Sequence, residues 1–365
     1  MPNYQILNLK KGDSPEMVIQ KKRTVKKLQG LREQLSTIPT SQLNYNLLLA
    51  TWNIREFDSG TFGERVFEAN YYIAEIISKF DIVAIQEVQR DLSGLKRVVD
   101  ILGKYWKYII SDVTEGARGN DERIAYVYNS RKIQFGGLAG ELVVPPKEEK
   151  TTDPNNPGKK IIKYTHLSQL WRTPLISGFS AGWAKFMLCN VHIKWGESEL
   201  SREEEINHLA GFLKKRSEDP TAWARKLILL GDFNISNISN ETFKLLKESG
   251  YISPPSHLDI TTTVGNKKYQ YDRIFVKERE AGFKILKGGK ISLFKNLFQD
   301  SEEDLYKHLV RKKDGSPAKS YTQWRTHQLS DHEPLWVEFK IQFEKEYLES
   351  VREKQERGIP LDGLP

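Results

Sequence analysis

Apolar positions gather in short runs, separated by turns and by segments with a helical period. Residues 47–53, 82–88, 108–113, 124–129, 182–192, 227–233, 271–276 and 335–341 read as strands. Several runs are apolar without alternation, as at Leu227-Ile228-Leu229-Leu230, which predicts strands covered on both faces. Residues 67–79, 95–102, 202–215 and 240–249 carry helical spacing between them. Strands buried on both faces and interleaved with helices predict a layered α/β architecture. Ahead of this pattern, residues 19–35 form a basic amphipathic helix that stops before Pro39. Two readings suit it: a solvated helix lying on the core, or an electrostatic contact to phosphates. Residues 145–160 are polar and proline-rich and read as an exposed, mobile loop. Residues 288–326 are long and basic, and the last residues read as a polar helix with a Gly/Pro tail. The expected division is therefore 1–46 as a basic helical extension, 47–341 as the main domain and 342–365 as a C-terminal helix and tail.

Composition narrows the picture. Eight Trp, 15 Tyr and 16 Phe in 365 residues exclude a disordered chain. A formal net charge of +8 suits a polyanionic partner. Cys189 is the single cysteine, so an intramolecular disulfide and a cysteine-rich zinc site are both excluded. No apolar stretch is long enough to cross a bilayer, which predicts no membrane insertion. The N-terminal residues show no apolar leader, and the expected compartment is the cytoplasm.

Polar residues stand where the apolar runs stop. Asn53 ends the first run, Gln86 and Glu87 the second, His192 the fifth, and Asp232 and Asn234 the sixth. Asp272 opens the seventh, and Asp331-His332 immediately precedes the last. A single such residue is usually a turn or surface group; amides, carboxylates and histidines delivered by six separate segments make a constellation on rigid supports. Competing motifs are weak. There is no P-loop and no HExxH, and the one GxSxG match, Gly178 to Gly182, is followed by a strand pattern rather than a helix and reads as a hairpin turn. Oxygen ligands without thiolates suit a hard cation, Mg2+ or Mn2+.

These residues resemble the motifs of the endonuclease/exonuclease/phosphatase superfamily. The matching segments are Thr51-Trp52-Asn53-Ile54, Gln86-Glu87-Val88, Asn190-Val191-His192, Gly231-Asp232-Phe233-Asn234, Tyr271-Asp272-Arg273-Ile274 and Ser330-Asp331-His332, in the family's order. The resemblance implies a four-layer α/β sandwich of two packed mixed sheets flanked by helices, with the site at one end. The pancreatic-deoxyribonuclease branch is the most similar, through Asp121-Glu122-Arg123 before one strand and Trp171-Arg172-Thr173-Pro174 before another. Departures are the missing disulfides, Asn120 in place of a tyrosine, and one residue inserted between Glu87 and Arg90.

The resemblance also implies roles. Glu87 would be the main ligand of Mg2+ or Mn2+, with Asn53 and Asp331 assisting. His192 and His332 would flank the scissile phosphate, held by Glu122 and Asp272. Asp232 would position or deprotonate the attacking water, and Asn234 would hydrogen-bond a phosphate oxygen. Arg90, Arg172, Trp195 and Trp324 would contact substrate, the tryptophans by stacking on a base. The expected function is a metal-dependent nuclease that cleaves DNA internally with little sequence specificity. The alternatives are a phosphodiesterase or phosphatase acting on a phospholipid, inositol phosphate or other small phosphoester, and a non-catalytic module on the same fold. The terminal extensions are candidate contacts for a protein partner.

Overall fold

The computed structural model describes residues 2–58, 62–115, 120–167, 169–194, 199–277 and 283–358. The chain enters through helix α1 (Pro15–Leu35), started by Pro15 in its first turn and by the Ser14 side chain, which accepts from the Met17 N–H. Strands β1 (Asn46–Phe57), β2 (Ile82–Val88), β3 (Trp106–Ile110) and β4 (Arg123–Asn129) follow, with α2 (Phe67–Ile77) and α3 (Ser93–Leu102) between them. Next come β5 (Gln134–Glu141), the hairpin β6 (Lys147–Asp153) and β7 (Asn156–Thr165), then β8 (Leu175–Ala181) and β9 (Ala184–His192). Helix α4 (Glu199–Glu218), β10 (Leu227–Asp232), α5 (Glu241–Glu248), β11 (Tyr251–Ile252) and β12 (Asp272–Lys277) complete that half. The chain then returns through β13 (Lys284–Lys290), the short α6 (Glu303–Tyr306), α7 (Tyr321–Gln328), β14 (Leu335–Lys340) and α8 (Glu344–Glu356).

The strands form two six-stranded sheets, ordered β13-β14-β1-β2-β4-β3 and β11-β12-β10-β9-β8-β5. Both are mixed: β1 runs parallel to β2 and antiparallel to β14, while β10 runs parallel to β9 and antiparallel to β12. The alternation of side chains along each central strand builds the layers. In β1, Leu48, Ala50, Trp52 and Ile54 join the core under α1 and α2, whereas Leu47 and Leu49 face the other sheet. In β10, Ile228 and Leu230 face the first sheet, and Leu227 and Leu229 face α4 and α5. Three apolar layers, one between the sheets and one under each helical flank, make the expected four-layer sandwich.

Helix α1 packs on the first flank. Thr24, Leu28, Leu31 and Leu35 recur every three to four residues along its buried stripe, and the leucines join the same core as α2 and β1. Two of its basic residues are tied to the rest of the fold: Arg23 pairs with the fully buried Glu68 at 2.7 Å, and Lys27 with Glu302 at 2.7 Å. The 145–160 segment differs from its expected loop character. It pairs as the β6–β7 hairpin, because Asp153 accepts from the Asn155 N–H (2.9 Å) around Pro154 and the flanking Thr151 and Ile161 pair across the strands. The GxSxG match lies along β8 and ends in the turn at Gly182, which has φ +54°. No helix among the described residues is long and apolar enough to cross a membrane.

Candidate active site

The C-terminal ends of the parallel pairs β1–β2 and β9–β10 meet at one end of the sandwich. Beneath them, Gln86 Nε2 donates to Asn190 Oδ1 (2.6 Å), joining the two sheets. Asn190 Nδ2 in turn donates to the carbonyls of Ile85 and Ala125. This buried amide network fixes the sheets against each other directly under the polar strand ends. Gly231 is needed for the close approach of β10 to β9: it sits at φ +140°, and a Cβ there would lie 2.0 Å from the Val191 carbonyl oxygen.

A pocket of about 780 Å³ opens above this floor. Glu87, Glu122, Arg172, His192, Asp232, Asn234, Asp331 and His332 line it, so the structure brings most of the sequence-derived site residues together. Asn53 lies just below, where its Nδ2 donates to Glu87 Oε1 (2.8 Å) and Asp232 Oδ2 (3.0 Å).

Two histidine–carboxylate pairs face each other across Asp232. His332 Nδ1 lies 2.8 Å from Asp272 Oδ2, and His192 Nδ1 lies 3.0 Å from Glu122 Oε2. Each ring turns its Nε2 toward the same oxygen, Asp232 Oδ2, at 3.7 Å for His192 and 3.8 Å for His332. Burial alone would lower the His332 pKa, but the Asp272 and Asp232 carboxylates outweigh it and hold the imidazole well above its ordinary value. Burial likewise works to raise Glu122, and His192 and Arg172 overcome it, bringing the carboxyl down to about 2. The Asn234 N–H donates to Asp232 Oδ1 (2.9 Å) and its amide donates to the Ile193 carbonyl (2.8 Å).

Glu87 is different. Burial raises its carboxyl, and Glu122 and Asp331 add to the effect against His192. The backbone at Glu87 has φ +60°, at Asn234 +51° and at Glu56 +44°, a region L-residues seldom occupy. The Glu56 N–H donates to Glu87 Oε2 (3.0 Å), fixing the carboxylate from below. Asn53 Oδ1 is buried with no hydrogen-bond partner. An orphaned acceptor beside the half-buried Glu87 carboxylate, with Asp331 in the same pocket lining, is an oxygen donor set suited to a hard divalent cation. Among the described residues no three His, Cys, Asp or Glu groups stand at ligand spacing. Mg2+ characteristically binds through one or two carboxylates and keeps its other positions for water and phosphate.

The expected substrate contacts fare unevenly. Arg172 lines the pocket, but its Nε is engaged by Glu122 at 2.6 Å. Arg90 is exposed and paired with Glu115 (2.9 Å) and Asp121 (3.1 Å), outside the pocket lining. Trp324 cannot stack on a base: it is 2% exposed and packs with Phe298, Tyr306 and Tyr321, because α7 turns its aromatic face inward. Trp195 lies outside the described residues. The available aromatic surface is elsewhere. Tyr269 and Tyr271 stack at 4.8 Å and 5° in the pocket wall, next to Lys267. Their i, i+2 spacing directly before Asp272 was the sequence signal for it.

Sheet order, layering and site position define the fold of the endonuclease/exonuclease/phosphatase proteins. The human Nocturnin catalytic domain with bound sulfate anion superposes with a TM-score of 0.52, at 13% identity over 84% of this chain and 98% of that one. D. rerio TDP2 complexed with single strand DNA product gives 0.51, at 14% identity over 80% and 98%. An endonuclease/exonuclease/phosphatase family protein from Bacteroides thetaiotaomicron also gives 0.51, at 18% identity over 81% and 95%. In sequence, a curated protein of Thioalkalivibrio sp. (strain K90mix) named Deoxyribonuclease is 26% identical over 194 residues. That match spans 52% of this chain and 46% of that protein. No protein-family model matches the chain.

Proposed function

We propose that this protein is a metal-dependent phosphodiesterase that hydrolyses nucleic acid, with DNA as substrate and internal cleavage of low sequence specificity. The observation that carries this reading is a pair of histidines, each with a carboxylate within 3.0 Å of its Nδ1, converging on Asp232 Oδ2 beside an oxygen-only donor set. Glu87, with Asn53 and Asp331, would hold Mg2+ or Mn2+, which when bound supplies positive charge against a phosphate oxygen and the charge developing on it. Asp232 lies within reach of both imidazoles and orients or deprotonates the water. His332, kept cationic by Asp272, donates a proton or hydrogen bond to the departing or non-bridging oxygen. His192 supports the phosphate from the opposite side, with Glu122 holding its ring. The named DNA product of the TDP2 structure and the Deoxyribonuclease relative support a nucleic-acid substrate. A small phosphoester remains the alternative within the same fold, since another solved neighbour, from Bacteroides thetaiotaomicron, is named a mannosyl-6-phosphatase.

The test is incubation of supercoiled plasmid with the wild type and His332→Ala, each with Mg2+, Mn2+ or EDTA. Nicking and linearisation by the wild type, abolished by EDTA and by the substitution, is the expected result. Cleavage that persists in His332→Ala at the wild-type rate would remove the histidine from the chemistry. Absence of cleavage, with turnover of a sugar or inositol phosphate, would transfer the site to the alternative substrate class.

A further inference from the structure

A second cleft, of about 370 Å³, adjoins the first. The two share Thr263 and Val264 as a common wall. That wall is pinned to the catalytic segment: the Val264 N–H donates to the Asp331 carbonyl (2.7 Å), and the Glu333 N–H donates to the Thr262 carbonyl (2.7 Å). A chain leaving the first pocket over this wall enters the second cleft directly.

The clefts are electrically opposite. Glu56, Glu87, Glu122, Asp232 and Asp331 line the first, against Arg172 and Lys267. Lys268, Lys290, Lys295 and Arg325 line the second, against Glu333 alone. Lys290 is bonded to Glu333 at 2.5 Å, and Arg325 to Asp300 at 2.9 Å. Lys268 and Lys295 are exposed, and no ion pair among the described residues engages either of them. Lys267 stands at the junction, on the side of the first pocket. Phe294 offers a half-buried ring inside the second cleft, with the Arg325 guanidinium over it at 4.7 Å from the centroid, so the two together form an apolar and cationic edge. Cations without counter-ions next to an aromatic face are the chemistry that binds a single polynucleotide strand: lysines on phosphates, a base on the ring.

We infer that the second cleft is a binding subsite for the strand that continues beyond the scissile phosphate, held by Lys268 and Lys295 beside the Phe294–Arg325 pair. The inference rests on the first pocket being a nuclease site, and it specifies the substrate as a polynucleotide extending several residues past the cut. A phosphorylated sugar or inositol would reach only the first pocket.

The experiment is fluorescence anisotropy of a labelled single-stranded DNA of about 20 nucleotides, in EDTA, across a salt series. The proteins are the wild type, K268E/K295E, K268R/K295R and, as a charge-matched control on α4, K214E/K215E. The expected result is a log–log salt slope shallower by about 1.4 in K268E/K295E, from two lost phosphate contacts at about 0.7 each. Binding at about 50 mM salt then weakens roughly ten- to sixtyfold, while the arginine pair binds like the wild type. In addition, the wild type gains affinity when the probe lengthens from about 4 to about 20 nucleotides, and K268E/K295E loses that gain. All four substituted lysines are exposed, and a thermal melt confirms that each variant is folded. Wild-type slope and affinity in K268E/K295E, an equal loss in K214E/K215E, or no binding of the probe by the wild type overturns the subsite. The plasmid assay separates the two readings. A protein that nicks plasmid but binds independently of Lys268 and Lys295 loses only the subsite. One that binds through them without cleaving loses the nuclease reading, and with it the scissile phosphate, while the second cleft keeps its role in holding a strand.

Discussion

Replacing Asp272 by Asn isolates one electrostatic contribution. The carboxylate lies 2.8 Å from His332 Nδ1, with its side chain fully buried and that of His332 12% exposed. Asn has nearly the same shape, and Thr262 Oγ1 still accepts from the backbone N–H of residue 272 (3.2 Å). What is lost is one charge-assisted hydrogen bond, worth about 1.5–3 kcal/mol when the partner is ionised. If His332 must be cationic in the transition state, kcat/KM falls roughly ten- to 150-fold, since about 1.4 kcal/mol is a factor of ten. A loss nearer 10⁴-fold would mean that the amide has turned its NH2 to the ring and imposed the opposite tautomer. The assay is initial-rate cleavage of a quenched fluorescent oligonucleotide in Mg2+, with far-ultraviolet circular dichroism and a melt to confirm the fold. KM should change little, because Asp272 acts through His332 and not on the substrate. An Asp272→Asn enzyme within threefold of the wild type would refute the argument that this carboxylate sets the charge of His332.

Three further outcomes follow from the packing. Gly231→Ala forces a methyl group against the Val191 carbonyl at an unfavourable φ; the expected result is a loss of about 3 kcal/mol or more in urea unfolding together with activity, and an unchanged midpoint would contradict the close approach of β9 and β10. Arg23→Ala leaves the buried Glu68 with the Tyr306 hydroxyl as its remaining hydrogen-bond partner among the described residues; a destabilisation of about 3 kcal/mol is expected, and under about 0.5 kcal/mol would show that this ion pair does not hold α1 in place. His257 is buried, bonded through Nε2 to the Trp336 carbonyl (2.8 Å), and burial pushes its pKa down to about 4 from 6.5. The unfolded chain then binds a proton that the native state refuses, so this contribution is complete above pH 6.5 and is lost as pH falls to about 4. The difference between wild type and His257→Gln in pH-dependent denaturation should approach about 3 kcal/mol across that window, and a flat difference would count against it.

The central strands were legible because both faces of each are buried, so their apolar runs had few polar interruptions. β2 was expected at 82–88 and lies there. The edge strand β3 overlaps the expected 108–113, but β5 and β7 were not legible: they are largely exposed and carry no burial pattern. The candidate site residues were legible as polar breaks at the ends of apolar runs, a local signal. Their partners in space were less so. That Arg172 is shared with Glu122, that Trp324 turns inward onto Phe298 and Tyr306, and that Lys295 comes beside Val264 all depend on segments distant in sequence. The Tyr269–Tyr271 stack needed only an extended backbone, and the spacing was present in the sequence.

Helix α1 also has a consequence for the order in which the molecule is made. Lys27 Nζ donates to the Asn296 carbonyl, Gln34 to the Ser292 carbonyl, and the Asn296 amide to Gln34, so α1 braces the segment that carries Phe294 and Lys295. These pairs are separated by 258 to 269 residues. At synthesis rates of about 5–20 residues per second, α1 leaves the ribosome roughly 13–50 s before its last partners exist. Through that interval Lys27 and Gln34 lack these partners, while the leucine stripe already has α2 and β1 to pack against. The wall of the second cleft is therefore braced only when two segments far apart in the chain close on each other.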